Sequence, residues 1–542
     1  MPTRLLLLAL PILFAQMASA AELLPADQSI SRVIDHYIDV RLAEQQVAPA
    51  APAVDANLLR RTTLDLAGRV PTLSELENYE RQSPSEKRER LVERLLHSPD
   101  FALHLRNEYD ALLTSGNDSS NEWRDYLLAA AKENRPWDQV FADVLTAKED
   151  DPARRGALQF LKSRSRELDT MTNDTSVLFF GVNVGCAKCH DHPLVEDWKQ
   201  DHYYGLSAFF ARTYLTKSRK LAEKSTAEVK FKTTKGVEKT ASLMFLSGAK
   251  VDELPIERTA EERKAEEEEI RRQQREDNQP PPPPPAFSAR MELVNLALKP
   301  ENRRFFARNA VNRTWARFFG RGLVHPLDQM HSSNPPSHPE LLDWLERDFI
   351  EHGYDMQRLI RGIVLSEAYA RSSAWTANGP TPDPDLFAFM NTRPLTPKQL
   401  SLSLALVTGN PQQFAVDMES PNWANQRQNL ENQSNGFASL LEQPGENFQV
   451  SVTEALLFAN GDRVQNDFLR DSADRIVNTL KTAEDEPATI TRAFRIALSR
   501  DPQPDEMFTV QEYLSARRDR ATAAWQQVVW ALVTTPEFRF NH

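Results

Sequence analysis

Apolar residues recur every three or four positions through most of the chain, and that periodicity predicts a mainly α protein. Leu91, Val92, Leu95 and Leu96 form one such stripe, which Pro99 ends. Several helix starts carry capping chemistry. Thr72-Leu73-Ser74-Glu75 and Ser83-Pro84-Ser85-Glu86 each set a hydroxyl three residues ahead of a carboxylate, so two orphan backbone donors are satisfied reciprocally. Pro84 suits a first helical position. Ser337-His338-Pro339-Glu340 repeats the device ahead of Leu341, Leu342, Leu345 and Phe349. Thr396-Pro397-Lys398-Gln399 does so ahead of Leu400 to Val407, with Gly409 placed to end that helix.

The pattern changes twice between residues 213 and 288. Glu228 to Thr233 and Thr240 to Leu246 are rich in alternating and β-branched residues around Lys235-Gly236, which predicts a small hairpin. Glu257 to Asp277 is almost wholly charged with Ala and Gln, a linker or a solvated helix, and Pro280 to Pro285 is a run that favours an extended backbone. A docking strip for a partner protein is the functional alternative for this stretch. The expected architecture is a multi-helix two-domain protein with a small β-hairpin region and a charged, Pro-rich linker between the halves. Its divisions are a signal peptide (1–20), an N-terminal helical domain (21–212), a small β region (213–256), the linker (257–288) and a C-terminal helical domain (289–542).

Composition narrows the setting. Arg4, the apolar Leu5 to Phe14 stretch broken only by Pro11, and Ala18-Ser19-Ala20 form the pattern of an export signal, with cleavage expected after Ala20. An uncleaved anchor is the alternative, but the apolar stretch is shorter than the roughly 20 residues a bilayer span needs. No other segment reads as a span, so a periplasmic or secreted protein is expected. A net charge of −12 argues against a nucleic-acid surface, which needs a concentrated basic face. Thirty-five prolines against seventeen glycines fit helix starts and rigid connections better than an all-β fold.

Cys186 and Cys189 are the only cysteines, too few for the disulfide framework of an exported protein, and they lie in Cys186-Ala187-Lys188-Cys189-His190. Two cysteines at this spacing can each form a thioether with a haem vinyl group, and His190 is then held beneath the iron as proximal ligand. Other readings stay open: a zinc or iron site drawing on His190, His192 or His202, a thioredoxin-like redox pair, or a plain disulfide or free thiols. Leu178, Phe179 and Phe180 before the motif, and Trp198, Tyr203, Tyr204, Phe209 and Phe210 after it, could bury a flat apolar group or simply pack in the core. Lys162, Arg164 and Arg166 could meet haem propionates or form an exposed basic face. His192 lies too close to His190 to reach easily the opposite side of an iron. Met171 and His202 are the nearer candidates for a sixth ligand, with Met244, Met291 and Met330 reachable through the fold.

With these residues in view, the chain resembles the secreted planctomycete-type cytochrome-C-like proteins, in which domains of unknown function 1549 and 1553 occur as a pair. In the first half the resemblance rests on Leu59-Arg60-Arg61-Thr62-Thr63-Leu64-Asp65-Leu66-Ala67-Gly68, on Leu95-Leu96-His97-Ser98-Pro99, and on Phe180-Gly181 leading to Cys186 through Pro193. Tyr203-Tyr204-Gly205-Leu206-Ser207-Ala208-Phe209-Phe210 completes that half. In the second it rests on Val311-Asn312-Arg313-Thr314-Trp315, Phe319-Gly320-Arg321-Gly322-Leu323-Val324 and Pro335-Pro336-Ser337-His338-Pro339-Glu340-Leu341-Leu342. The resemblance implies that Cys186, Cys189 and His190 attach haem. Some relatives add a separate cytochrome c domain at the N-terminus, and none is read here, which would leave this motif as the haem site. Asp-His-Pro after the motif also keeps Asp191 and His192 in play as ligands of a non-haem metal. The long charged and proline-rich insert departs from the shorter connection of such proteins.

Asn312, Arg313, Arg321, Asp328, His331, His338 and Glu340 are conspicuous polar groups of the second half, but they fall at no recognisable spacing of nucleophile, base and orienting group. Three functions are therefore carried forward. The leading one is an exported haem c protein that transfers electrons to a redox partner protein or serves the redox step of an extracytoplasmic degradative system. The second is a haem-free, metal-dependent or hydrolytic enzyme using the Cys-x-x-Cys-His-Asp-His cluster. The third is a non-catalytic extracytoplasmic scaffold.

Overall fold

Periodic stripes become helices over most of the chain, and among the described residues the only sheets are three antiparallel pairs of very short strands. The computed structural model describes residues 23–114, 120–191, 195–252, 259–277, 285–377, 379–414, 417–444 and 452–542. The expected signal peptide, His192 and most of the proline run lie outside them. Among the described residues no helix is long and apolar enough to cross a membrane.

Local chemistry sets the helix ends unevenly. Thr72 and Thr396 are the N-caps of Leu73–Glu80 and Pro397–Thr408, each closing a full capping box with Glu75 or Gln399. Two expected boxes are not formed. The helix after Ser83 begins only at Lys87, because the Ser83 carbonyl accepts from Glu86 and Lys87 N–H and spends the intervening residues on a turn. Likewise His338, not Ser337, occupies the N-cap of Pro339–Glu351. Ser337 is held by its own N–H to the Leu323 carbonyl and by its hydroxyl to the His338 ring. Gly409 does end its helix, in an extended rather than left-handed conformation; a side chain there would meet the Phe414 ring.

The expected hairpin pairs Lys230–Lys232 with Glu238–Thr240, so its second strand begins earlier than the Thr240 to Leu246 reading. Gly236 supplies the positive φ of its turn. A second hairpin, Thr213–Leu215 with Leu221–Glu223, precedes it. The charged stretch forms a capped helix, Ala260–Arg275, exposed along most of its length. It is tied to the Thr213–Glu223 hairpin through Gln273, which accepts from Tyr214 Oη, and to the residues just after it through Glu266, which accepts from Ser225.

Two hydrophobic clusters organise the molecule. The first draws on residues from Ile30 to Met390 and so runs through both sides of the 257–288 segment. Its first helix, Ile30–Glu44, buries Ile30, Val33, Ile34, Ile38 and Leu42 against Pro339–Glu351 and Met356–Val364. The second cluster draws on residues 395–538 and takes in Leu64 and Val70 from the first half.

The helix Asp55–Ala67 lies between the clusters and is buried on nearly all faces, its charged residues included. Arg60 donates to the carbonyls of Ala497 and Phe538, both at 3.0 Å, and so caps the C-terminal ends of Glu486–Leu498 and Pro536–Arg539. Arg61 reaches the carbonyls of Tyr369, Arg371 and His542. Asp65 accepts from Arg393, from Tyr369 Oη at 2.7 Å and from Asn541 at 2.8 Å. Burial pushes both Arg60 and Arg61 down to about 10.

A second buried polar seam lies beside it. Arg69 bridges Glu75 and Asp100 at 2.7 Å each, Arg427 bridges Asp100 and Glu431, and Glu431 also pairs with Arg106 and Arg124. A buried charge is tolerated only when its partners replace water, and here the carboxylates of Glu75, Asp100 and Glu431 are each met by at least one guanidinium.

Candidate functional site

The approach to the cysteine pair is fixed by the second half of the chain. Helix Leu168–Thr175 loosens into a π turn, Ser176–Phe180, and Gly181 ends it with a φ of +70°. A Cβ at Gly181 would lie 2.7 Å from Met330 Sδ and 2.9 Å from Asn309 Oδ1, so both side chains would have to shift, and the positive φ itself favours glycine. Residues 181–183 then run antiparallel to 328–330: Met330 N–H donates to Gly181 O at 3.0 Å and Asn183 N–H to Asp328 O at 2.9 Å. The Asn183 side chain donates to Asp328 at 3.1 Å and accepts from Gly185 N–H, which starts the next turn.

That turn, the 3-10 segment Gly185–Lys188, carries the motif. Ala187 is buried, whereas Cys186 and Cys189 are exposed free thiols. Lys188 anchors the turn on both sides. Its ammonium pairs with Asp169, and its carbonyl accepts from Tyr204 Oη at 3.0 Å and Gln200 Nε2 at 3.3 Å. Hydrogen bonds from Lys188 and Tyr203 hold the Asp169 carboxyl below its usual range, and Asp169 raises Lys188 in return.

His190 is exposed, with Nδ1 2.8 Å from the Asp191 carbonyl oxygen. That contact places the ring proton on Nδ1 and leaves Nε2 without a partner among the described residues, the arrangement in which a histidine is oriented as a metal ligand. Asp191 Oδ1 accepts from Gln200 N–H at 3.0 Å, so its carboxylate is engaged at the start of helix Gln200–Ala208.

The aromatic residues around the motif divide. Phe179, Phe180, Phe209 and Phe210 have no solvent exposure; Phe179 packs on Phe141 at 4.8 Å and Phe180 on Phe245 at 5.0 Å. These rings are core. Tyr204 stacks on Phe231 of the hairpin at 4.1 Å. Trp198 is edge-on to His202, and both line a cavity of about 670 Å³ together with Met330 and His331. The cavity therefore joins two of the sixth-ligand candidates, His202 and Met330, whereas Cys186, Cys189 and His190 are not in its wall. Burial lowers His202 from its ordinary range, and its Nδ1 accepts from Lys199 N–H.

The remaining candidates are placed elsewhere. Met171 is buried in the core, Met244 packs beside Gly205, and Met291 is exposed. Lys162 pairs with Glu149 and Arg164 with Asp174, while Arg166 is exposed. His192 lies outside the described residues, and among those described no cluster of three or more His, Cys, Asp or Glu suits a metal ion.

Most polar groups singled out in the second half have structural duties. Asn312 exchanges two hydrogen bonds with Val324. Arg313 donates to the Val177 carbonyl in the π turn, Arg321 pairs with Asp385, and His338 lies against Phe387 with its ring pushed down to about 4 by burial. The buried set Arg60, Arg61 and Asp65 was not read as structural from sequence. Its available signal was three charges among Leu58, Leu59, Leu64 and Leu66, where no face of the helix remains polar.

Compared with known proteins, residues 33–214 match the family described as a protein of unknown function, DUF1549 (PSCyt2), and residues 289–514 match DUF1553 (PSD1), also of unknown function. No curated protein and no solved structure matches the chain.

Proposed function

The chain belongs to the proteins that carry DUF1549 and DUF1553 in tandem, and from that premise we propose that it is an exported haem c protein that passes electrons to a redox partner. Cys186 and Cys189 would hold the porphyrin through thioethers, and His190 would ligate the iron through Nε2. Haem supplies one-electron chemistry when bound. This chain's own contribution is to present the two thiols on one turn, to orient the imidazole through the Asp191 carbonyl and to anchor the turn through Lys188 and Gly185.

The observation that carries the reading is the pair of unpaired, exposed thiols on a single turn beside an imidazole whose Nε2 has no other partner among the described residues. A second reading rests on the donor chemistry of the same three side chains, a small ion such as zinc or iron held without porphyrin; because they do not converge as a ligand set among the described residues, such an ion would have to draw them together.

Production in a host with a c-type maturation system separates the two. Covalent haem mass and a pyridine haemochrome spectrum are expected, with Cys186→Ala and Cys189→Ala each removing one thioether. Matured protein that is colourless and carries stoichiometric zinc or iron would establish the second reading and end the first.

A further inference from the structure

We propose that a cavity between the two halves binds a small carboxylate with an apolar body, with Arg313 as the residue that receives the carboxylate. The cavity encloses about 430 Å³, a volume in the ordinary range for small-molecule sites. One wall is apolar: Tyr109 and Trp137, themselves a tilted ring pair 4.9 Å apart, with Leu112 and Met356. The lining also carries three guanidinium groups, Arg313 and Arg317 one helical turn apart on Arg303–Phe319, and Arg321 just past the Gly320 cap, together with, among the described residues, the single carboxylate Glu108.

These three cations are not equally neutralised. Arg317 lies 3.4 Å from Glu108, and Arg321 pairs with Asp385. Arg313 meets only neutral acceptors, Asn309 Oδ1 at 3.0 Å and Val177 O at 2.7 Å, and no carboxylate lies within ion-pair distance of it among the described residues. Its Nη1 makes no hydrogen bond within the described residues. Burial pushes this guanidinium down to about 10, with Asp328 opposing from a distance. A cation in such a setting gains most from an anion that can accept a charge-assisted hydrogen bond, and the ring-bearing wall selects one with an apolar body. Because Arg313 also holds the π turn ahead of the cysteine motif, an occupant would touch the residue that positions that turn.

Isothermal titration of the full chain with naphthoate and with its neutral analogue naphthalenemethanol tests the assignment. Naphthoate is expected to bind tighter by about tenfold or more. Arg313→Gln should bring the two affinities together. Ala316→Leu projects into the same cavity and leaves every guanidinium in place, so it keeps the test independent of the Val177 bond; it should weaken naphthoate by about tenfold. Equal affinity of acid and alcohol for the unaltered chain, no binding of naphthoate at millimolar concentration, or unchanged naphthoate affinity in Ala316→Leu would overturn the proposal.

Discussion

Arg60 shows how much one side chain can hold. A guanidinium with no carboxylate at contact distance among the described residues is buried among helix ends, and its compensation comes from backbone carbonyls that have no partner inside their own helices. Arg60→Met keeps the apolar stem and removes these donors. It is expected to destabilise the chain by about 2–4 kcal/mol, because two buried carbonyls lose their partners together. Urea unfolding measures this directly, and a change below about 0.5 kcal/mol would mean that the carbonyls find other donors. The same residue illustrates what a linear pattern conceals. Arg60-Arg61 reads as a polar interruption of an apolar helix, and only the arrival of residues 369–371, 497 and 537–542 turns the interruption into a contact.

At the scale of elements, the helix starts separate real caps from sequence look-alikes. Thr72 and Ser83 both precede a glutamate by three residues, yet only Thr72 closes its box. Thr72→Ala should cost about 1 kcal/mol, whereas Ser83→Ala should stay within about 0.5 kcal/mol of the parent, both read from thermal or denaturant midpoints. An equal loss at the two positions would place the second helix start at Ser83 after all. The charged helix Ala260–Arg275 was legible as a solvated element from its composition, and its cap at Thr259 is local chemistry of the same kind. Its docking on the Thr213–Glu223 hairpin through Gln273, and on the residues just after it through Glu266, was not legible, since nothing in a charge run marks which two side chains will turn inward.

Across the whole molecule, the ion-pair seam ties the first half to helix Pro421–Ala438 and makes stability depend on pH. Burial alone would raise Glu431, but Arg427, Arg106, Lys398 and Arg124 outweigh it and bring the carboxyl down to about 2. With its folded value below its unfolded one, Glu431 contributes stability that is complete above the ordinary glutamate range and is lost as pH falls from about 4.5 towards 2. The contribution is of the order of 3 kcal/mol. Glu75, held low by Arg69 and Arg94 despite its burial, acts in the same direction. Stability measured between pH 6 and pH 3 should therefore fall with acid, and Glu431→Gln should be less stable at neutral pH with a flatter profile. A variant whose profile runs parallel to that of the parent would remove Glu431 from the account.

The sequence alone determined the helical class, the hairpin at Lys235-Gly236, two of the four capping boxes and the presence of two thiols and an imidazole within five residues, because each depends on groups close together along the chain. It also carried the tandem of the two families. Tertiary structure decided that Phe179 and Phe180 serve the core, that the 181–183 approach to the cysteines is paired with 328–330, and that one apolar cluster runs from Ile30 to Met390. Burial is a property of surfaces that meet across hundreds of residues, so a ring, an arginine or a glycine acquires its role only when the chain has brought its neighbour to it.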